Sequence, residues 1–181
     1  ALPAGSVVGT SSLRRQAQLL HRRPDLTIVG FRGNVQTRLR KLSEGLAAAT
    51  LLAMAGLRRL GLDGLARAPI APEEMLPAIA QGVVGVEQRL DDAATAALLA
   101  AIDDAPTGRR LAVERAFLAG LDGSCQTPIA GLAELEGDRL RFRGEILRPD
   151  GSEALSHAIE GGASEAAAMG AEAAAVLRGQ A

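Results

Sequence analysis

Short apolar runs alternate with amphipathic stretches from the start of the chain to about Gly61, the pattern of successive strand–helix units. Ser6–Val8 reads as a strand. Ser12–Arg22 reads as a helix whose apolar Leu13, Ala17 and Leu20 share one face, and Pro24-Asp25 ends it. Leu26–Phe31 predicts a second strand, after which Asn34 is suited to cap a helix through Leu42 that stops at Gly45. Thr50–Met54 predicts a third, fully apolar strand, and a short helix from about Gly56 to Leu60 follows, closed by Gly61. Pro69, Pro72 and Pro77 then mark a connector.

Beyond the connector, Gly82-Val83-Val84-Gly85-Val86-Glu87 reads as a buried strand, with glycines suggesting close backbone approach. Asp91-Asp92 caps a helix from Ala93 to about Ile102, and Thr107 opens another to about Leu121. The pattern changes after Gly123. Pro128–Glu136, Leu140–Leu147 and Ala154–Glu160 predict antiparallel strands joined by turns at Glu136-Gly137-Asp138 and Pro149-Asp150-Gly151. Ser164 caps a final Ala-rich helix to Leu177. The fold class expected is α/β, built of strand–helix units, followed by a small α+β domain with a three-stranded antiparallel sheet and helices.

Composition narrows this little, but charge does more. The 181 residues are 48% hydrophobic, enough for one large core or two small ones. No apolar run reaches the ~20 residues that span a bilayer, and no basic-then-apolar leader opens the chain, so no membrane contact is expected. The turn-like start at Ala1-Leu2-Pro3 reads as a piece cut from a longer chain. One cysteine and two histidines make a protein metal site an unsupported reading and suit a reducing compartment, most simply the cytoplasm. The net charge of −1 conceals a division: residues 1–67 carry eleven Lys+Arg against three Asp+Glu, and the remainder carries nine against eighteen. The basic part should attract an anion. Aromatic content of 2%, with no Tyr or Trp, argues against base stacking and hence against nucleic acid, and no Walker or dinucleotide glycine motif is present.

The sharpest local feature is Gly9-Thr10-Ser11-Ser12-Leu13-Arg14-Arg15-Gln16, where a strand ends, hydroxyls follow and a helix starts. Unpaired backbone N–H groups and the positive dipole end make such a junction a ready anion site. Arg14 and Arg15 oppose that dipole, a conflict an anionic ligand would remove; the alternative is that they are solvated or paired with carboxylates elsewhere. Arg32-Gly33-Asn34 with Arg38 repeats the arrangement at the next junction, and Arg58 and Arg59 follow the third strand. Strand carboxyl ends gather such turns, which suggests a ligand with several negative groups. Arg22, Arg23, Arg40 and Lys41 lie late in helices, where cations suit the dipole, and are read as surface residues. Cys125 stands in Leu121-Asp122-Gly123-Ser124-Cys125-Gln126-Thr127-Pro128, and reads either as a small buried hydrophobe or as an accessible, reactive loop thiol. His21 and His157 read as surface and strand residues without a catalytic role.

Several stretches in one order resemble the porphobilinogen deaminase family: GTSSLRRQAQL near Gly9–Leu20, RPDL and FRGNVQTRLRKL over Arg23–Leu42, and LLAMAGLRRLGL over Leu51–Leu62. LPAIAQGVVGVEQRLDD over Leu76–Asp92 and VERAFLAGLDGSCQTPIAG over Val113–Gly131 continue the match, which is looser beyond Gly131. The resemblance is to the family's C-terminal portion, and it implies three domains, two of them α/β halves like periplasmic binding proteins. Residues 1–76 would form most of the second domain, residues 77–100 the segment crossing back to a first domain largely absent from this chain, and residues 101–181 the cofactor-bearing α+β domain. The family's catalytic aspartate would lie in that first domain, so no catalytic residue is expected here and the isolated chain should be inactive.

The implied activity is that of a transferase of porphyrin (haem and chlorophyll) biosynthesis, a hydroxymethylbilane synthase. It joins four porphobilinogen molecules into hydroxymethylbilane with release of ammonia, in a monomeric cytoplasmic protein. The implied cofactor is a dipyrromethane held by a thioether to Cys125. Thr10, Ser12, Arg14, Arg15, Arg32 and Arg38 match positions that bind the cofactor, and Arg14, Arg32, Arg38, Arg59 and Gln81, with the neighbouring Gly82, match positions facing substrate. Two departures stand out: Ser124 replaces the glycine usual before the cysteine, and Ala47-Ala48-Ala49 lacks the family's acidic residue before the third strand. The alternative reading is a non-catalytic module binding polycarboxylates or other anions.

Overall fold

The computed structural model describes residues 2–66, 68–124 and 127–180. Its first part is a parallel three-stranded sheet, with β1 at Val7–Gly9, β2 at Thr27–Val29 and β3 at Ala49–Thr50. The strand order is β2-β1-β3, and Val8 pairs with both Ile28 and Ala49. Helix α1 (Leu13–Arg22) links β1 to β2, and α2 (Val35–Ser43) links β2 to β3. Asn34 caps α2 as expected, whereas Ser12 lies just before α1 as its cap and not within it. Ser12 accepts from the Arg15 N–H, and Asn34 Oδ1 accepts from the Thr37 N–H at 2.9 Å. Helix α3 (Met54–Arg59) comes next, so Met54 begins a helix rather than ending a strand, and the third strand is only two residues long.

The segment beyond residue 66 departs most from expectation. Gly82–Glu87 is not a buried strand: it is irregular, and Val84 and Val86 are 88% and 60% exposed. A strand requires a neighbour to receive its backbone hydrogen bonds, and among the described residues no strand lies beside this run. Helix α4 (Ala93–Leu99), capped by Asp92, follows with Leu98 and Ile102 also exposed.

Helix α5 (Ala105–Gly120) begins two residues before Thr107, because Asp104 accepts from the Thr107 N–H at 3.1 Å. It packs with α6 (Ala166–Arg178) on one face of an antiparallel sheet of β4 (Ile129–Glu136), β5 (Arg139–Leu147) and β6 (Ala154–Gly162). Ser164 lies in a 3-10 turn ahead of α6 and does not cap it. The core of this part comprises Val113 and Phe117 of α5, Leu140 and Phe142 of β5, and Met169, Ala173 and Leu177 of α6. Phe117 and Phe142 meet edge to face, with ring centroids 4.9 Å apart. Small residues let the two helices close up: a Cβ on Gly170 would collide with the Val113 carbonyl oxygen. Among the described residues no helix is long and apolar enough to cross a membrane.

Candidate functional site

With strand order β2-β1-β3, the chain leaves β1 and β3 in different directions, and a crevice opens outside their carboxyl ends. An open cavity of about 710 Å³ is found there. Thr50 and Leu51 at the end of β3, Arg14 and Arg15 at the start of α1, and Gln81 and Gly82 of the connector all line it. Volumes of this size suit a ligand larger than a simple ion.

Arg14 is 8% exposed although it is a cation in the first turn of a helix. Its Nη1 donates to the Leu76 carbonyl at 2.7 Å and to Gln18 Oε1 at 2.8 Å, while Nε is buried without a partner. Burial first, and then the neighbouring Arg15, lower its pKa to about 10, with Glu145 opposing the shift. Arg15 is also depressed, by burial and then by Arg38, and its Nη1 donates to the Leu51 carbonyl at 3.0 Å, tying α1 to the end of β3. Two partly desolvated guanidiniums thus stand side by side in the first turn of α1, with Glu145 opposing the shift of Arg14.

The remaining expected residues divide. Thr10 is buried, and its hydroxyl accepts from the Ser12 N–H at 3.2 Å; Ser12 in turn caps α1, accepting from Arg15 N at 3.4 Å. Both hydroxyls thus organise the turn that presents Arg14 and Arg15, and neither lines the cavity. Arg38 donates from Nε to the Gly33 carbonyl at 2.9 Å and lies close enough to Arg15 to lower its pKa. Arg32 is exposed beside that cluster in sequence, and Arg59 is exposed at the end of α3; neither side chain lines the cavity. Gln81 and Gly82 do line it, on a turn where Ala80 takes a left-handed φ of 59° and Gly82 one of 88°. Cys125 falls outside the described residues, as do Gln126 and Arg67. The chain on either side of the cysteine is drawn together: Thr127 Oγ1 accepts from Ser124 N at 2.7 Å.

Lys41, read as a surface residue, donates to the Arg32 carbonyl at 3.1 Å in an exposed contact and sits over the Phe31 ring, holding the β2–α2 turn. Three further residues escaped the sequence reading. Gln18 and Glu145 extend the Arg14 network. Glu114, on α5, is 7% exposed and accepts from Ala80 N at 2.6 Å and from Ala133 N at 2.9 Å, pinning the Gln81 turn to β4. Burial raises its pKa above the ordinary carboxylate value. A usable signal existed only for Gln18, four residues after Arg14 and so on the same helix face. Among the described residues, no group of three or more His, Cys, Asp or Glu could hold a metal ion.

Fold and site together define an α/β part with an arginine-lined crevice, followed by an α+β part. Residues 1–97 match the family model "Porphobilinogen deaminase, dipyromethane cofactor binding domain", and residues 109–179 match "Porphobilinogen deaminase, C-terminal domain". The chain belongs to the porphobilinogen deaminase family. The match therefore reaches beyond the family's C-terminal domain, so a purely C-terminal portion was too narrow an expectation. Among similar proteins, the porphobilinogen deaminase of Paracoccus denitrificans (strain Pd 1222) is 66% identical over 180 residues, covering 99% of this chain and 58% of that protein. Those of Nitrobacter hamburgensis and Nitrobacter winogradskyi are each 54% identical over 177 residues, covering 98% of this chain and 56% of theirs. The chain thus spans somewhat over half the length of these relatives.

Proposed function

We propose that the full-length protein is a hydroxymethylbilane synthase of the cytoplasm, joining four porphobilinogen molecules with release of ammonia, and that this chain supplies its carboxylate-binding wall and its cofactor cysteine. The observation that carries the reading is the adjacent pair of buried Arg14 and half-buried Arg15, both lining the β1/β3 crevice. Each pyrrole of the implied chain bears two carboxylates, and neighbouring guanidiniums lining one crevice are suited to receive them. The donor set fits a dipyrromethane: Arg14, Arg15 and Arg38 would hold its acidic arms, Thr10 and Ser12 would shape the turn beneath them, and Cys125 would tether it. When bound, that group supplies the covalently anchored end from which the pyrrole chain lengthens. Arg32 and Arg59, both exposed, would engage substrate as the chain grows, with Gln81 of the crevice lining.

In this reading residues 1–76 form most of a periplasmic-binding-protein-like half, residues 77–100 cross to a first domain, and residues 101–181 form the domain bearing Cys125. The protein works as a monomer on a small-molecule substrate. The exposed apolar side chains of Val84, Val86, Leu90 and Leu98 support the crossing segment, since an unpaired apolar run needs a sheet to cover it. The catalytic aspartate would come from the first domain, so residues 1–181 alone should not turn over.

Intact-mass measurement of the full-length protein tests the reading. The wild type should exceed its sequence mass by one dipyrromethane and colour with a pyrrole reagent, and Cys125→Ala should lose both signals along with hydroxymethylbilane formation. A wild type without adduct and without product would leave only an anion-binding module and end the proposal.

A further inference from the structure

Gln18 lies on α1 one turn beyond Arg14, and it is only 4% exposed. Buried amides need partners for both ends, and here the partners come from three parts of the chain. Oε1 accepts from Arg14 Nη1 at 2.8 Å; Nε2 donates to the Leu76 carbonyl at 3.2 Å and to Glu145 Oε2 at 2.8 Å. Arg14 cannot accept, and neither Leu76 O nor the Glu145 carboxylate can donate, so only one orientation of the amide satisfies the set. Glu145 stands on β5, in the sheet that follows the cysteine loop. It also opposes the lowering of the Arg14 pKa.

Around this connection the two parts of the chain are joined by further polar contacts. Gln16 Nε2 donates to the Pro149 carbonyl at 3.1 Å, and His21 Nδ1 lies 3.0 Å from the Gly151 carbonyl. Gly151, at φ 74°, packs so closely on the end of α1 that a Cβ there would collide with His21 N. Helix α1 therefore presents Arg14 and Arg15 at its first turn and rests Gln16, Gln18 and His21 against β5 and the β5–β6 turn.

We propose that Gln18 is a positioning residue for ligand binding: it fixes the Arg14 guanidinium for carboxylate capture and, through Glu145, sets that guanidinium relative to the cysteine-bearing domain. The proposal deepens the function proposed above and rests on Arg14 being a carboxylate-binding group. Gln18 does not line the crevice, so it acts through Arg14 rather than on ligand.

The test uses full-length protein carrying Gln18→Met, Gln18→Glu, and Gln18→Glu combined with Glu145→Gln, each followed by thermal unfolding, KM for porphobilinogen and kcat. Methionine keeps the volume and removes every hydrogen bond; releasing a charged partner of this kind corresponds to roughly tenfold to a hundredfold in binding. Gln18→Met should therefore raise KM about tenfold or more, and Gln18→Glu should do likewise by setting two carboxylates against each other. Exchanging amide and carboxylate between positions 18 and 145 restores a donor–acceptor pair while Arg14 keeps an acceptor, so the double variant should return KM to within about threefold of wild type. Unchanged KM in both single variants, or no recovery in the double variant, overturns the proposal, as does a fall in melting temperature without any change in KM. If the wild type makes no tetrapyrrole, the proposed function itself fails, and the positioning role is judged by calorimetry with succinate. Tenfold weaker binding by Gln18→Met then supports it, and equal binding overturns it.

Discussion

Replacing Glu114 by glutamine asks whether one buried carboxylate holds the connector in place. Its two oxygens each accept a backbone N–H, one from Ala80 in the left-handed turn and one from Ala133 in β4. Glutamine keeps the shape but offers a single acceptor, so one of those amides faces an NH2 group. A buried donor left without a partner costs about 1–3 kcal/mol. At about 2 °C lost per kcal/mol for a chain of a few hundred residues, the melting temperature should drop by roughly 4 °C at neutral pH. The pH dependence carries its own sign. Burial raises the Glu114 pKa, so the folded state holds this proton more tightly than the unfolded chain does. The cost of keeping the group charged is present at neutral pH and vanishes as pH falls through the raised pKa, whereas glutamine gains nothing on acidification. The gap between wild type and Glu114→Gln should therefore widen as pH is lowered. Scanning calorimetry of both proteins at pH 7 and pH 5 measures it, and equal melting temperatures, or a gap that narrows with acid, would refute the reasoning.

Two further changes probe the α+β core. Phe117→Ala removes a fully buried ring that stacks edge to face on Phe142, and should cost about 3–5 kcal/mol in urea unfolding. Gly170→Ala should destabilise despite alanine's better helix propensity, because the added methyl meets the Val113 carbonyl and the Ala116 side chain across the α5–α6 contact; a variant as stable as wild type by thermal unfolding would show that the helices can separate without penalty.

Periodicity and capping chemistry were sufficient to locate much of the fold. Asn34 and Asp92 cap the helices that their positions in the sequence announce, and the three C-terminal strands pair in the order and sense that their turns require. Those features are local: a side-chain oxygen three residues from an amide, or a glycine between two apolar runs, acts in any surroundings. The basic junction at Arg14-Arg15 was legible for the same reason. Gly82–Glu87 shows the limit, since its apolar run is compatible with a strand but pairing depends on a neighbour that the run itself cannot specify.

Sequence alone determined that arginines would stand where strand gives way to helix, because those boundaries are written in residues a few places apart. Only the tertiary structure decided which arginines lose their water, which residue answers them and what lies behind them. Arg14 is buried because the Leu76 segment and β5 close over α1, and its partners Leu76 and Glu145 are 62 and 131 positions away along the chain. Desolvation and long-range hydrogen bonding depend on packing across the whole fold, and no spacing along a sequence encodes them.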